Sequence, residues 1–406
     1  MHDSTLRIGQ VAVSSCVLGL LLACAPLHNA DSTDKVLAAT PVPERDIKVA
    51  MQALAGATIL ETDRYIPRVP LHTCGARPLQ VGSNDLSGEL AKAIYAAQAY
   101  HEKAQGVGLI ILQNGSIVHE DYTDPATAAS QTESASMMKS VLGLLTGIAI
   151  EKGAIGSIDD RIGKYLAEWQ DDPRGDITIR QLLTMSTGLG KSDFVRILMS
   201  SDISAAALES VLTGEPGNEF AYNNAVSQLL GTLVDRQVRT IGYDDFRDFL
   251  QRELWCPLGN DEAALWFDRE GGSPRYYAGL QANLSDWARI GELIRNDGMV
   301  GSKRVVPMEW IAQMKIPSQA NAQYGLHLWL GGAWSEQRAY AAGNPVTVPQ
   351  SAPFAAEDVV FFDGFGGQRV YVAPSIGLTI ARTGYTNLSY DDAIIVNLLS
   401  NAMSSE

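Results

Sequence analysis

The chain has 406 residues, of which 46% are hydrophobic and 19% are charged, which is the composition of a globular protein with one or two substantial cores. Its formal net charge of −15 disfavours nucleic acid and anionic membrane surfaces as electrostatic partners. The charge favours solubility but says little about a substrate, because a site can differ from the average surface.

The N-terminal segment 1–23 has the pattern of an export signal. Arg7 is followed by an apolar run over 8–22, which is short for a membrane span. The run leads to Leu-Leu-Ala-Cys, in which Cys24 resembles the lipid-carrying cysteine of a bacterial lipoprotein; an ordinary secretory signal or a simple apolar N-terminus are the alternatives. We expect residues 1–23 to be a signal peptide and the mature protein to be exported to the periplasm, anchored through lipid on Cys24.

Residues 24–60 are predicted to be a flexible tether, because 25–45 are rich in Ala, Asp, Ser, Thr and Pro. Two cysteines remain beyond it, Cys74 and Cys256. They could pair in an oxidising compartment or stay separate as buried thiols, and the sequence leaves both open. The six histidines are scattered without metal-ligand spacing, so we expect no metal centre.

Hydrophobic patterns predict the elements that follow. An amphipathic helix is expected over 87–103, then a hairpin turning at Asn114-Gly115, then a buried helix starting near Ser136. Further helices are predicted at 177–188, 204–213, 226–240, 280–297, 306–314 and 392–402. Strands are predicted at 358–363, 369–373 and 377–381. This order predicts one antiparallel five-stranded sheet flanked by helices, built from 61–145 and 316–406, with an inserted helical domain at 146–315.

Ser136 and Lys139 open the buried helix and are three residues apart, so their side chains share one face. A serine needs a base to become a nucleophile, and burial lowers the pKa of a lysine enough to make it one. The helix N-terminus favours negative charge on the serine oxygen. The alternative is a capping serine followed by a lysine whose amine reaches solvent.

Two further segments carry candidate site residues. Tyr222 and Asn224 lie in a short loop before a helix; a tyrosine can relay protons, with a pKa expected to drop beside a lysine ammonium, and an asparagine can bind an amide or orient the lysine. Each could also be ordinary, Tyr222 as a core ring and Asn223 or Asn224 as a helix cap. Gly366, Gly367 and Gln368 precede a strand and could present N–H groups to an oxyanion, although a plain hairpin turn is the alternative.

The three motifs occur together in the order used by penicillin-recognising serine hydrolases. Tyr-x-Asn resembles class C β-lactamases, D,D-peptidases and related esterases, and the Gly-Phe-Gly-Gly-Gln stretch at 364–368 is most similar to the 6-aminohexanoate-dimer hydrolase branch. The resemblance covers about residues 80–405. It implies a β-lactamase/D,D-peptidase-like fold and a reaction that needs no cofactor.

The resemblance also implies roles. Ser136 would attack a carbonyl carbon, Lys139 would take its proton, and Tyr222 would pass a proton to the leaving group and then activate water. The oxyanion hole would use the Ser136 N–H and one N–H of the segment 366–368.

One departure from the family narrows the expected substrate. The third motif is usually Lys-Thr-Gly or His-Thr-Gly, whose cation holds a substrate carboxylate, whereas this chain has Gly-Phe-Gly at 364–366. Arg382-Thr-Gly resembles a substitute, but it ends the last strand and is interpreted as structural. A small ester or amide is therefore the expected substrate; the alternatives are a penicillin-binding D,D-peptidase or carboxypeptidase and a catalytically silent binding protein.

Overall fold

The computed structural model describes residues 58–82, 88–190, 194–342, 344 and 346–404. The predicted signal peptide, Cys24 and most of the predicted tether lie outside the described residues. Within these ranges, none of the helices combines the length and the apolar character needed to span a bilayer.

The described strands are β1 (Arg68–Leu71), β2 (Gln80–Val81), β3 (Gly106–Gln113), β4 (Ser116–Tyr122), β5 (Thr132–Glu133), β6 (Ala263–Trp266), β7 (Leu280–Ala282), β8 (Met299–Val300), β9 (Lys303–Arg304), β10 (Trp329–Leu330), β11 (Gln337–Ala339), β12 (Thr347–Pro349), β13 (Val360–Gly364), β14 (Gln368–Ala373) and β15 (Leu378–Gly384). The α-helices are α1 (Gly88–Lys103), α2 (Met138–Glu151), α3 (Ile179–Leu183), α4 (Phe194–Met199), α5 (Ile203–Leu208), α6 (Asn224–Thr240), α7 (Phe246–Leu250), α8 (Cys256–Leu258), α9 (Leu284–Arg295), α10 (Met308–Met314) and α11 (Asp392–Met403).

The main sheet joins the two ends of the described chain. Its strand order is β10-β13-β14-β15-β3-β4-β2, and the five long strands β13, β14, β15, β3 and β4 pair antiparallel. The predicted fold is therefore confirmed. Two short strands extend the five: β10 pairs antiparallel at one edge and β2 pairs parallel at the other. Both are too short for alternation of side chains to signal a strand.

Local chemistry explains how the sheet forms and what covers it. Asn114 and Gly115 have φ of +50° and +81° between β3 and β4, as a two-residue hairpin turn requires, so the predicted hairpin is confirmed. Val370 on β14 faces α9, because a Cβ added at Gly291 of α9 would lie 2.8 Å from its side chain. The next residue of β14, Tyr371, donates a hydrogen bond to Asp392 of α11. Because side chains alternate along a strand, α9 and α11 cover opposite faces.

The middle of the chain differs from its predicted helices in three places. Predicted helix 204–213 is only α5, and Leu212 forms a β-bridge with Leu189 instead. Predicted helix 177–188 is only α3, which starts with the capping box of Thr178 and stops before Met185, where φ is +54°. Predicted helix 280–297 divides into β7 and α9, and Asn283 caps α9 by accepting from the Asp286 N–H at 2.8 Å. The helix α9 lies within 146–315, the segment predicted to be the helical domain, but it packs on the main sheet. The predicted domain boundaries stay predictions.

A second, four-stranded sheet has the order β1-β6-β7-β5, which no sequence pattern predicted. It brings β5, just before Ser136, alongside β7 from a distant part of the chain. Nearby, Cys74 and Cys256 form a disulfide, which decides between the two alternatives that the sequence left open.

Candidate active site

Ser136 lies in a single 3₁₀ turn, Ala135–Met137, that continues directly into α2. The predicted helix near Ser136 is therefore present, and most of its residues are buried. Lys139 is only 1% exposed, and its Nζ lies 2.9 Å from Ser136 Oγ. A capping serine with a solvent-reaching lysine does not describe this geometry.

Three oxygens surround the Lys139 amine. Besides Ser136 Oγ, they are Asn224 Oδ1 at 2.8 Å and the Tyr277 carbonyl oxygen at 3.1 Å. Burial lowers the pKa of Lys139 to about 7, although the negative charge of Asp363 acts in the opposite direction. About half of the lysine is therefore neutral at neutral pH, which gives it a lone pair that can accept the Ser136 proton.

Tyr222 and Asn224 reach the site because a helix begins between them. Asn223 caps α6, since its Oδ1 accepts from the Ala225 N–H at 3.0 Å. Asn224 is then the first helical residue and directs its amide oxygen at Lys139, while Tyr222 places its ring centroid 4.6 Å from Lys139 Nζ. Of the two asparagines, Asn223 is the cap and Asn224 faces the amine.

The pKa of Tyr222 moves opposite to the expectation from sequence. Burial and the charge of Asp363 raise the pKa of the phenol well above its usual value, although a hydrogen bond with Ser136 and the charge of Arg338 oppose this. The expected drop beside a lysine ammonium is wrong because desolvation outweighs the nearby cations. Tyr222 is thus a neutral proton donor and acceptor next to the serine.

The glycine-rich turn between β13 and β14 lies against the backbone just before Ser136. A Cβ at Gly364 would come within 2.6 Å of the Ser134 carbonyl oxygen and 2.7 Å of Gln368 Cβ, so only glycine fits there without a shift. This close approach brings the main chain of the turn to the nucleophile.

Within the turn, Gly366 and Gly367 have φ of +79° and +97°. The Gly367 N–H donates to the Gly364 carbonyl at 3.3 Å. The Gln368 side chain is fully buried and pairs with the backbone of Gly384, donating to its carbonyl at 2.8 Å and accepting from its N–H at 2.9 Å. That side chain therefore holds the end of β15 and does not face Ser136.

Comparison with known proteins identifies the family of the chain. Residues 91–399 match the family model described as Beta-lactamase, which is more than half of the chain. The chain belongs to the beta-lactamase family. Members of this serine hydrolase family include esterases, other hydrolases and penicillin-binding protein homologues, and the chain is a serine hydrolase of this kind.

Solved structures share the fold at low sequence identity. A Bacillus anthracis protein assigned as a 6-aminohexanoate-dimer hydrolase is 16% identical, with a TM-score of 0.65 over 86% of this chain and 92% of that chain. A family VIII carboxylesterase is 14% identical, with a TM-score of 0.58 over 83% of this chain and all of that chain. A penicillin-binding protein homologue from Caulobacter crescentus is 14% identical, with a TM-score of 0.57 over 84% of this chain and all of that chain.

In this beta-lactamase-family chain, Arg382 does not supply the cation that the third motif usually carries. It is fully buried, donates to the carbonyls of Gly367 and of Ala104, the latter at 2.7 Å, and stacks 4.2 Å from the Tyr390 ring centroid. Arg382 therefore supports the glycine-rich turn from inside the protein.

An aromatic wall surrounds Tyr222, and its two other tyrosines were not predicted from the sequence. The Tyr340 carbonyl accepts from the Tyr222 N–H at 2.9 Å, and their ring centroids are 5.2 Å apart. Tyr324 and Trp329 pack on the other sides of the Tyr222 ring, at 6.0 and 5.7 Å. Tyr340 carries no recognisable motif, so no signal in the sequence could have found it.

A buried ion cluster of Arg338, Asp363, Arg369 and Asp392 lies behind this wall, and the sequence did not signal it either. Arg338 contacts Asp363 and Asp392 at 2.8 Å each, and Arg369 contacts the same two carboxylates at 2.5 and 2.7 Å. Two positive and two negative charges cancel. Tyr340 also donates to Asp363 at 2.9 Å, which links the cluster to the aromatic wall.

The described ranges contain no group of three or more His, Cys, Asp or Glu side chains that could hold a metal ion.

Proposed function

We propose that the protein cleaves small, uncharged esters or amides through an acyl-enzyme on Ser136. The observation that carries the proposal is the buried amine of Lys139, with a pKa of about 7, at 2.9 Å from Ser136 Oγ. A nucleophile and base in this geometry are what covalent acyl transfer requires.

In the proposed reaction, Ser136 Oγ bonds to the carbonyl carbon while neutral Lys139 takes the serine proton. The proton then passes through Tyr222 to the leaving alcohol or amine as its bond to the carbonyl carbon breaks. In the second half, Tyr222 takes a proton from water, whose oxygen bonds to the carbonyl carbon of the acyl-enzyme. The bond from that carbon to Ser136 Oγ breaks, and the proton returns to Oγ, which regenerates Ser136. The Ser136 N–H and an N–H of the segment 366–368 would stabilise the oxyanion.

The preference for an uncharged substrate follows from how the cations near the site are used. Lys139 contacts three oxygens, and Arg338 and Arg369 are paired inside the neutral ion cluster. Arg382 contacts two carbonyls. A substrate carboxylate would therefore lack a cation partner among these residues, whereas the aromatic wall suits an apolar group.

The test is active-site labelling together with a substrate panel. A fluorophosphonate probe should label the wild type and fail to label Ser136→Ala, and Lys139→Ala should lower turnover of a chromogenic short-chain ester by at least about 10²-fold. Equal labelling of the wild type and Ser136→Ala would refute the assignment. Efficient trapping by labelled penicillin would favour the D,D-peptidase alternative, and no turnover across esters and amides would favour a silent binding protein.

The proposed location is the periplasmic side of a membrane, with lipid on Cys24. The Cys74–Cys256 disulfide supports export, because such bonds persist mainly in oxidising compartments. Fractionation tests this directly: the full chain should partition with membranes and Cys24→Ala should appear in the soluble exported fraction. Identical partitioning of both would contradict the lipid anchor.

A further inference from the structure

Glu133 is a buried carboxyl group at the end of β5, three residues before Ser136, and the proposed reaction does not use it. One of its oxygens, Oε1, accepts from the Gly279 N–H at 2.8 Å and from the Ala135 N–H at 3.2 Å. The other, Oε2, is buried with no hydrogen-bond partner in the described part of the chain. A buried carboxylate that makes only backbone contacts beside a nucleophile calls for a physical reason.

The hydrogen bond from the Ala135 N–H to Glu133 holds an unusual backbone conformation. Ala135 has φ of +46°, in the left-handed region that residues with a Cβ rarely adopt. Its position directly before Ser136 means that its torsion angles set where the Ser136 N–H and Cβ point. The bond from the Ala135 N–H to Glu133 therefore fixes the direction of the nucleophile.

The hydrogen bond from the Gly279 N–H to Glu133 reaches the segment that orients the base, Lys139. Gly279 lies two residues after Tyr277, whose carbonyl accepts from Lys139 Nζ at 3.1 Å. Gly279 has φ of +84°, and an added Cβ would lie 3.1 Å from Trp266 Cβ, so this segment is tightly placed. A single oxygen of Glu133 thus connects the backbone that carries Ser136 to the backbone that orients Lys139.

We propose that Glu133 is a positioning residue for acyl transfer, which keeps Ser136 and Lys139 at their reacting distance through two main-chain hydrogen bonds. This inference rests on the proposed function. Burial raises the pKa of Glu133 to about 7, which is the cost of placing an acceptor here, although hydrogen bonds from backbone N–H groups, first that of Gly279, and then the charge of Arg275 lower it in part. The two N–H groups require an acceptor oxygen, and they require it more than they require a full negative charge.

The experiment compares Glu133→Ala with Glu133→Gln. Alanine removes the acceptor, so kcat for a short-chain ester should fall by about 10²-fold while KM changes by less than about threefold, because misplacing a reacting group by about 1 Å costs that much. Glutamine keeps an oxygen at the same place, so its kcat should stay within about fivefold of the wild type. Glu292→Ala is the matched control, since Glu292 is a buried carboxylate on α9 whose contacts are Thr379, Arg295 and Asn296; its kcat should match the wild type.

Each outcome decides the proposal. Wild-type kcat in Glu133→Ala, or an equal loss in Glu133→Ala and Glu292→Ala, would overturn it, as would an equal loss in Glu133→Ala and Glu133→Gln. If Glu133→Ala does not fold, Glu133→Asp replaces it, because a carboxylate one methylene shorter cannot reach both N–H groups and should show the same fall in kcat at constant KM. Labelling of Ser136 tests the proposed function separately: labelling that is lost in Ser136→Ala upholds that function even if Glu133 proves unimportant.

Discussion

Replacing Lys139 by methionine is expected to abolish turnover and to stabilise the folded protein at neutral pH. The difference between the pKa of about 7 and the ordinary 10.5 corresponds to about 5 kcal/mol of penalty for a charged amine at this position. At pH 7, where about half of the lysine has already lost its proton, roughly 4 kcal/mol of that penalty remains in the free energy of unfolding.

The gain is reduced by the hydrogen bonds that methionine cannot make. Asn224 Oδ1 and the Tyr277 carbonyl would each lose a donor, at a cost of about 1 kcal/mol or somewhat more per group. Methionine has a similar length and fills the space of the lysine stem. The penalty removed exceeds the hydrogen bonds lost, so the expected net change at pH 7 is a stabilisation of about 2 kcal/mol or slightly less.

The pH dependence gives the sharper test of the same reasoning. The folded state releases the Lys139 proton near pH 7 and the unfolded state near pH 10.5, so between these values the unfolded state binds more protons and wild-type stability rises with pH. The methionine variant lacks this contribution. Its advantage over the wild type should shrink by about 2 kcal/mol between pH 7 and pH 9.

Urea unfolding of both proteins at pH 7 and pH 9 measures this directly, because all other ionisable groups are shared. Ester hydrolysis by the wild type should rise with pH through about 7 as Lys139 becomes neutral, with no measurable turnover by the variant. A stability difference that does not change with pH, or wild-type activity that is equal at pH 5.5 and 8.5, would refute the neutral-lysine mechanism.

Three other changes have expected outcomes. Tyr222→Phe keeps the ring in the aromatic wall but removes the proton relay, so kcat should fall by about 10²–10⁴-fold with little change in melting temperature; near-normal kcat would exclude the relay. Replacing Cys74 and Cys256 together by serine opens a covalent loop and should lower the free energy of unfolding by about 2–5 kcal/mol without changing KM, as measured by denaturant unfolding. Asp392→Asn leaves the buried Arg338 short of a counter-charge and should cost about 3–5 kcal/mol, and a melting temperature equal to that of the wild type would contradict the account of the ion cluster.

Local patterns were enough to predict the main parts of the fold. The hairpin at Asn114-Gly115 and the buried helix after Ser136 depend on residues adjacent in sequence, so periodicity and turn chemistry report them directly. The proximity of Ser136 and Lys139 was also predictable from the sequence, because side chains three residues apart lie on the same face of a helix. Tyr222 and Asn224 could be linked to them only through the resemblance to a family.

The remaining features depend on contacts between distant segments, which no local pattern records. Tyr340 meets Tyr222 from a much later part of the chain, and Glu133 meets Gly279 across the second sheet. The rise in the pKa of Tyr222 could not be predicted for the same reason, since it depends on how deeply the folded chain buries the phenol.

Pairing of β15 with β3 has a consequence for how the molecule assembles. These adjacent strands of the main sheet come from opposite ends of the described chain, and β14, next in order, begins at the end of the turn that approaches the nucleophile. A growing polypeptide lacks the turn beside Ser136 until residue 368 has been added, and one edge of β3 has no partner until β15 has been added. Closure of so long a loop is slow, so the hydrolytic centre should be among the last parts of the protein to mature during synthesis.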